Sequence, residues 1–145
     1  MPADCTFCAI VAGEIEAEIV HADELTIAFL DHRPLFPGHV LLVPREHHVT
    51  IEDLPAELIE PVFATARRLA GAVRRAMEAE GTFVAMNNVV SQSVPHLHVH
   101  VVPRRRKDGL RGFFWPRNPY GGPEAMAAAG AAIRDELSRA DPPDR

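Results

Sequence analysis

Three histidines alternating with aliphatic residues carry the chemistry of this chain. Ser93 to Arg104 reads S-V-P-H-L-H-V-H-V-V-P-R, with His96, His98 and His100 separated by Leu97 and Val99 and followed by Val101. A strand places successive side chains on opposite faces, with same-face neighbours roughly 6.5–7 Å apart. The imidazoles therefore share one face and the aliphatics the other. Imidazole is the side chain best suited to proton transfer, nucleophilic attack and metal ligation near neutral pH. Three readings fit the bare row: metal ligands, as in the H-x-H pairs of zinc enzymes; structural histidines with buried partners; or a nucleophile tuned by its neighbours. The flanks favour the third. Gln92 and Ser93 precede the row and Asn87 ends the preceding strand, and such hydrogen-bonding side chains suit a phosphate rather than a metal cage.

The elements that must position this row are legible from pattern. Thr6 to Ala12 predicts a short helix closed by Gly13. Ile19 to His21 and Thr26 to Leu30 read as strands joined by a turn at Ala22-Asp23-Glu24. Val40 to Val43 is an apolar strand ended by Pro44. Leu58, Val62, Leu69, Val73 and Met77 recur at helical spacing and predict the longest helix, about Leu58 to Ala79, ended by Gly81. Pro61 predicts a kink or a separate first turn if the helix begins near Pro55. Thr82 to Asn87 and Val94 to Val102 read as paired strands. Met126, Ala129, Ile133 and Leu137 predict a C-terminal helix with Pro123 in its first turn. The fold class is α+β: a mainly antiparallel sheet with one long helix on a face.

Composition bounds the rest. The chain has 145 residues and a net charge of −5, which implies one domain and no global attraction to nucleic acid or to a membrane surface. It shows no apolar run of membrane-spanning length and no leader-like N-terminus, so the expected location is cytoplasmic. The two cysteines, Cys5 and Cys8, form C-x-x-C, which by itself fits a redox pair, a metal site or chance.

The sequence H-L-H-V-H-V-V resembles the signature of the histidine triad superfamily of nucleotide hydrolases and transferases. C-T-F-C-A-I-V-A-G-E-I, A-F-L-D-H-R-P-L-F-P-G-H-V-L-L-V-P-R-E-H and Q-S-V-P-H are similar to the family in the same order, over about residues 5–104. The resemblance implies a sheet of about five strands continued across a homodimer, with residues 105–145 as an extension. It implies that His98 attacks the α-phosphorus of a purine nucleotide derivative. It further implies that the His96 carbonyl orients His98, that His100 binds phosphoryl oxygens, and that Ser93 steadies the leaving atom. Gln92 and Asn87 would hold the phosphate and ribose side. Phe7, Ile10, Asp31 and His32 would form the nucleoside pocket, with Asp31 accepting from ribose hydroxyls. On residue type alone, Asp31 also fits a turn-initiating aspartate, and Phe7 and Ile10 fit a core.

In one branch of the family the positions of Cys5, Cys8, His47 and His96 bind Zn²⁺, so the resemblance implies a structural zinc here. His39 follows Pro-Gly at a family position and is expected to support the triad. His48 is expected in solvent, and His21 carries no functional signal. Two features depart from the pattern. His32 replaces an apolar residue, and Asn87 to Gln92 is about two residues short and lacks glycine. Val89 and Val90 are β-branched and ill suited to positive φ, which leaves open whether Asn87 or Asn88 reaches the site. Finally, Arg104-Arg105-Arg106-Lys107 and Arg111 fit either a solvated charge run or a grip on a phosphate chain. The aromatic run Phe113 to Trp115 beside Arg117 fits base stacking or a dimer contact. On the phosphate-grip reading the expected substrates are dinucleoside polyphosphates such as diadenosine tetraphosphate, cleaved with release of AMP, and adenosine phosphoramidates are the alternative. A nucleotide-binding module without turnover is the competing class.

Overall fold

The computed structural model describes residues 2–110 and 117–139. They fall into two compact units, Met1–Asp108 and Gly109–Arg145. The first begins with helix α1 (Thr6–Val11), followed by strands β1 (Ile19–Ala22), β2 (Thr26–Leu30) and β3 (Val40–Pro44). A 3-10 turn (Ile51–Asp53) leads into the long helix α2 (Ala56–Ala76), and strands β4 (Gly81–Ala85) and β5 (Val99–Arg104) complete the unit. The second unit carries helix α3 (Pro123–Ser138), with proline in its first turn as the sequence predicts.

The strands form one antiparallel sheet in the order β1-β2-β3-β5-β4. The two-residue alternation of β2, β3 and β5 sorts the side chains into two layers. Ala28, Val40, Leu42, Leu97, Val99 and Val101 face Leu58, Val62, Ala66, Leu69 and Val73 of α2. Ile27, Phe29, Leu41 and Val43 face Phe7, Cys8 and Ile10 of α1 on the other side. Burying a side chain of the size of Leu42 or Val101 is worth about 1.5–3 kcal/mol, so the α2 layer anchors the sheet, while the opposite face carries the α1 layer and the histidine side chains.

Two expectations are corrected. The strand expected over Val94 to Val102 pairs only from Val99 onward, so His100 lies in the ladder while His96 and His98 precede it. Proline explains this: Pro44 opposes this stretch and Pro95 lies within it, and neither can donate a ladder hydrogen bond. The Leu97 N–H instead reaches the His48 carbonyl at 2.6 Å. The alternation survives without the ladder, since Leu97, Val99 and Val101 all enter the α2 layer. Likewise Pro61 does not detach a first turn: α2 is continuous from Ala56. Near a helix start, proline removes one intrahelical bond, and the packing of Leu58 and Val62 outweighs it.

Candidate active site and metal centre

The three histidines differ in environment, and their partners fix their tautomers. His98 is 3 % exposed, and its Nδ1 lies 2.7 Å from the His96 carbonyl oxygen. A carbonyl only accepts, so Nδ1 carries the hydrogen and the Nε2 lone pair is free. His98 also packs edge-to-face on Phe7, with ring centroids 5.0 Å apart, which restricts rotation of the ring.

His100 is oriented from behind by His39, which is 3 % exposed. The Leu35 backbone N–H donates to His39 Nδ1 at 3.1 Å. His39 must then carry its hydrogen on Nε2, which lies 2.9 Å from His100 Nδ1. His100 therefore accepts at Nδ1 and presents Nε2–H as a donor. Both rings are neutral at pH 7. Burial holds His39 below the usual histidine range against the opposing pull of Asp31. Burial, then His98 and His39, pushes His100 down to about 4. Gly38 makes this placement possible: its φ is +94°, and a Cβ there would come within 2.5 Å of Met77 Cγ.

His96 turns its ring the other way. Its Nε2 lies 2.8 Å from the Pro44 carbonyl, so Nε2 donates and the Nδ1 lone pair points into a cluster with Cys5, Cys8 and His47. His96 Nδ1 is 3.5 Å from each sulfur, His47 Nδ1 is 3.2 Å from it, and Cys8 Sγ is 3.3 Å from His47 Nδ1. The four donor atoms lie within 4.8 Å of one another. The set fits zinc: two thiols, two ring nitrogens and a His96 ring anchored through its other nitrogen to a carbonyl, as ligating histidines are. Burial, and then the adjacent Cys5, pushes the Cys8 thiol up to about 11, and burial lowers His47.

The remaining predicted residues divide. Asp31 Oδ1 accepts from the Arg33 N–H at 2.9 Å, the turn-initiating role, while Oδ2 stands 3.8 Å from His39 Nδ1. The His32 side chain is 87 % exposed. Phe7 and Ile10 are buried within the α1 layer. Ser93 is exposed and lines a cleft of about 300 Å³ with Cys5, Thr6 and His47.

The Asn87 to Gln92 loop clamps itself to the segment before α2. Gln92 Nε2 donates to the Val49 carbonyl at 2.6 Å, and Gln92 Oε1 accepts from the Val89 N–H at 3.0 Å. Asn88 Oδ1 accepts from the Ile51 N–H at 2.8 Å, whereas Asn87 reaches only the Ser91 carbonyl, at 3.4 Å. Val89 adopts φ +68° and Ser91 φ +63°, so the expectation that a valine would refuse positive φ is corrected: the Gln92 and Asn88 clamps over-determine the loop.

His48 is also corrected, since its side chain is only 12 % exposed. The basic run is engaged within the protein. Arg104 pairs with Asp108 at 2.6 Å, Arg106 with Glu80 at 2.5 Å, and Arg105 donates to the Met77 carbonyl. Arg111 and Phe113 to Trp115 lie outside the described residues.

This fold and this histidine arrangement define a nucleotide-handling class, and comparison names it. The HIT domain family matches residues 12–107. A HIT-like protein of Mycobacterium tuberculosis is 36 % identical over 94 % of this chain and 95 % of its own length. An adenosine 5′-monophosphoramidase of Schizosaccharomyces pombe is 31 % identical over 92 % and 98 %. A crystal structure of a zinc-bound histidine triad family protein from Mycobacterium smegmatis superposes with TM-score 0.70 at 36 % identity, covering 92 % and 97 %. The chain belongs to the HIT family, in which relatives such as the Schizosaccharomyces pombe phosphoramidase are named as nucleotide-processing enzymes. Among the described residues, no helix is long and apolar enough to cross a membrane.

Proposed function

We propose that this protein is a nucleotidyl hydrolase that cleaves adenosine 5′-phosphoryl compounds and releases AMP. The observation that carries the reading is the His98 hydrogen bond: donation from Nδ1 to the His96 carbonyl leaves Nε2 as the nitrogen free to attack, on a buried, fixed ring. His98 Nε2 attacks the α-phosphorus, and the bond to the leaving group breaks as the N–P bond forms. His100 Nε2–H donates to a phosphoryl oxygen as charge builds there. Ser93 steadies the departing atom. Water then attacks the nucleotidyl-histidine, and AMP leaves with His98 restored. Asp31 Oδ2 accepts from the ribose hydroxyls, beside a pocket wall that includes Phe7 and Ile10.

A zinc ion at Cys5, Cys8, His47 and His96 would serve structure, since four protein donors fill its tetrahedron. It would tie α1 to the segment that carries the His96 carbonyl. The active form is a homodimer located in the cytoplasm.

The leaving group is a small amine or comparable group. Arg104, Arg105 and Arg106 are engaged within the protein, which removes the support for a polyphosphate grip, and the phosphoramidase relative favours the same choice. Dinucleoside polyphosphates are the second reading, favoured by the exposed Lys107. The test compares kcat/KM for adenosine phosphoramidate and diadenosine tetraphosphate. AMP release, faster from the phosphoramidate, supports the proposal. Faster release from the tetraphosphate supports the second reading. Tight binding of both without release would leave a nucleotide-binding module.

A further inference from the structure

Helix α2 carries two arginine pairs, Arg67-Arg68 and Arg74-Arg75, all exposed, in a chain of net charge −5. Positions seven apart in a helix share a face, about 10.5 Å apart along the axis. No ion pair to these four guanidinium groups is found among the described residues, whereas Arg104, Arg106 and Arg139 each hold a carboxylate. Arg67 and Arg68 have Phe63, Ala64, Ala70, Gly71 and Ala72 at the helical neighbour spacings. Glu78 stands three positions after Arg75, and Asp23 and Glu24 line an adjoining cleft with Arg68, yet none of these carboxylates is ion-paired to an arginine of α2 among the described residues.

Arg68 and Arg75 differ from the other two, because they line a cleft of about 310 Å³ between α2 and the edge strand β1, with Val20, His21 and Thr65. Gly71 lies between them in sequence. Glycine is a poor helix former, so its place in the interior of α2 calls for a reason. A Cβ at this position would stand 3.1 Å from Arg75 Nη1, so Gly71 leaves open the space that the Arg75 guanidinium occupies. His21 is fixed at the rim by Asp23, 2.9 Å from its Nε2. The α2 layer packs on the Leu97-Val99-Val101 side of the sheet, opposite the histidine face, so this cleft is separate from the site of the proposed chemistry.

We propose that Arg68, Arg75 and His21 form a second binding site, for the phosphate chain of a small polyphosphate anion. Two planar guanidinium forks set two helical turns apart suit the two ends of a short phosphate chain, which a single phosphate cannot span. The chain can be free inorganic polyphosphate or the phosphate tail of a nucleoside triphosphate. Thr65 adds a hydroxyl, and Val20 offers an apolar wall to whatever the chain is attached to.

The test is a calorimetric titration of the full-length protein with inorganic tripolyphosphate and, separately, with ATP in the presence of saturating AMP. Arg68→Gln/Arg75→Gln should weaken tripolyphosphate binding by about tenfold or more, with an unchanged melting temperature and unchanged AMP release. The control Arg67→Gln/Arg74→Gln removes the same charge outside the cleft and should change binding less than about threefold. ATP binding that falls in parallel identifies the nucleotide tail as a ligand; tripolyphosphate binding alone identifies the free anion. Equal losses in both double variants would reduce the effect to general charge and overturn the proposal. So would tripolyphosphate binding that survives in Arg68→Gln/Arg75→Gln, or an absence of saturable binding in the wild type.

Discussion

His98 is held by the backbone of the residue whose side chain enters the cysteine cluster: its Nδ1 lies 2.7 Å from the His96 carbonyl, and the His96 ring lies 3.5 Å from each of Cys5 and Cys8. One residue thus joins the candidate metal centre to the candidate nucleophile, through different atoms.

Because the coupling runs through position rather than chemistry, metal loss should act on stability first. The purified protein is expected to hold one zinc per chain, measured by elemental analysis. Cys8→Ala should lose the metal and melt at a lower temperature. Its kcat should fall by less than about tenfold, ~1.4 kcal/mol of barrier. A metal-free native protein would refute the centre.

His39 fixes the His100 tautomer, so His39→Gln should lower kcat by roughly 10–100-fold, the usual cost of removing a partner that orients a functional histidine. KM should move less than kcat, because His39 Nδ1 stands 3.8 Å from Asp31 Oδ2, beyond hydrogen-bond distance. A steady-state comparison at pH 7 checks this, with a melting curve to show that the variant is folded.

The burial of His100 sets a pH dependence of stability. Folded His100 titrates at about 4, whereas an unperturbed histidine titrates at 6.5. Between those values only the unfolded chain takes up the proton. Stability from the neutral ring is therefore fully present above pH 6.5 and is lost as the pH falls toward 4. The slope for one group is at most about 1.4 kcal/mol per pH unit, less where solvent reaches the ring. Denaturant melts between pH 7 and pH 4.5 should be steeper in pH for the wild type than for His100→Asn.

Val89 holds φ +68° and is 73 % exposed. A left-handed conformation costs a non-glycine residue about 1–2 kcal/mol, and the flexibility of glycine in the unfolded chain returns about 0.5–1 kcal/mol of that. Val89→Gly should therefore raise stability by up to about 1.5 kcal/mol, read from the shift of the urea midpoint. Gln92→Ala should lower it, since Gln92 makes two of the contacts that hold the loop.

Side-chain identity made much of this legible in advance. The alternation of His96, His98 and His100 with Leu97, Val99 and Val101 was enough to sort two faces, and the helical spacing of Leu58, Val62, Leu69 and Val73 located α2. What could not be read was the work of backbone groups. The carbonyls of Pro44, His48 and Val49 and the N–H of Leu35 set tautomers and hold loops, yet they look alike in every sequence. Pairings between distant residues were equally hidden. Arg106 finds Glu80 across 26 positions, so a charge run that reads as free is partly spent. Val89 shows the same limit, since its propensity argues against positive φ and the Gln92 and Asn88 clamps override it.

The central claim is that His98 Nε2 bonds to phosphorus. Rapid acid quench of the enzyme with adenosine phosphoramidate labelled at phosphorus, followed by mass analysis of peptides, tests it directly. The wild type should carry one adenylyl group on the peptide containing His98 during turnover, and His98→Ala should carry none and release no AMP. AMP release by His98→Ala at the wild-type rate, or an adenylyl group on any other residue, would contradict the account.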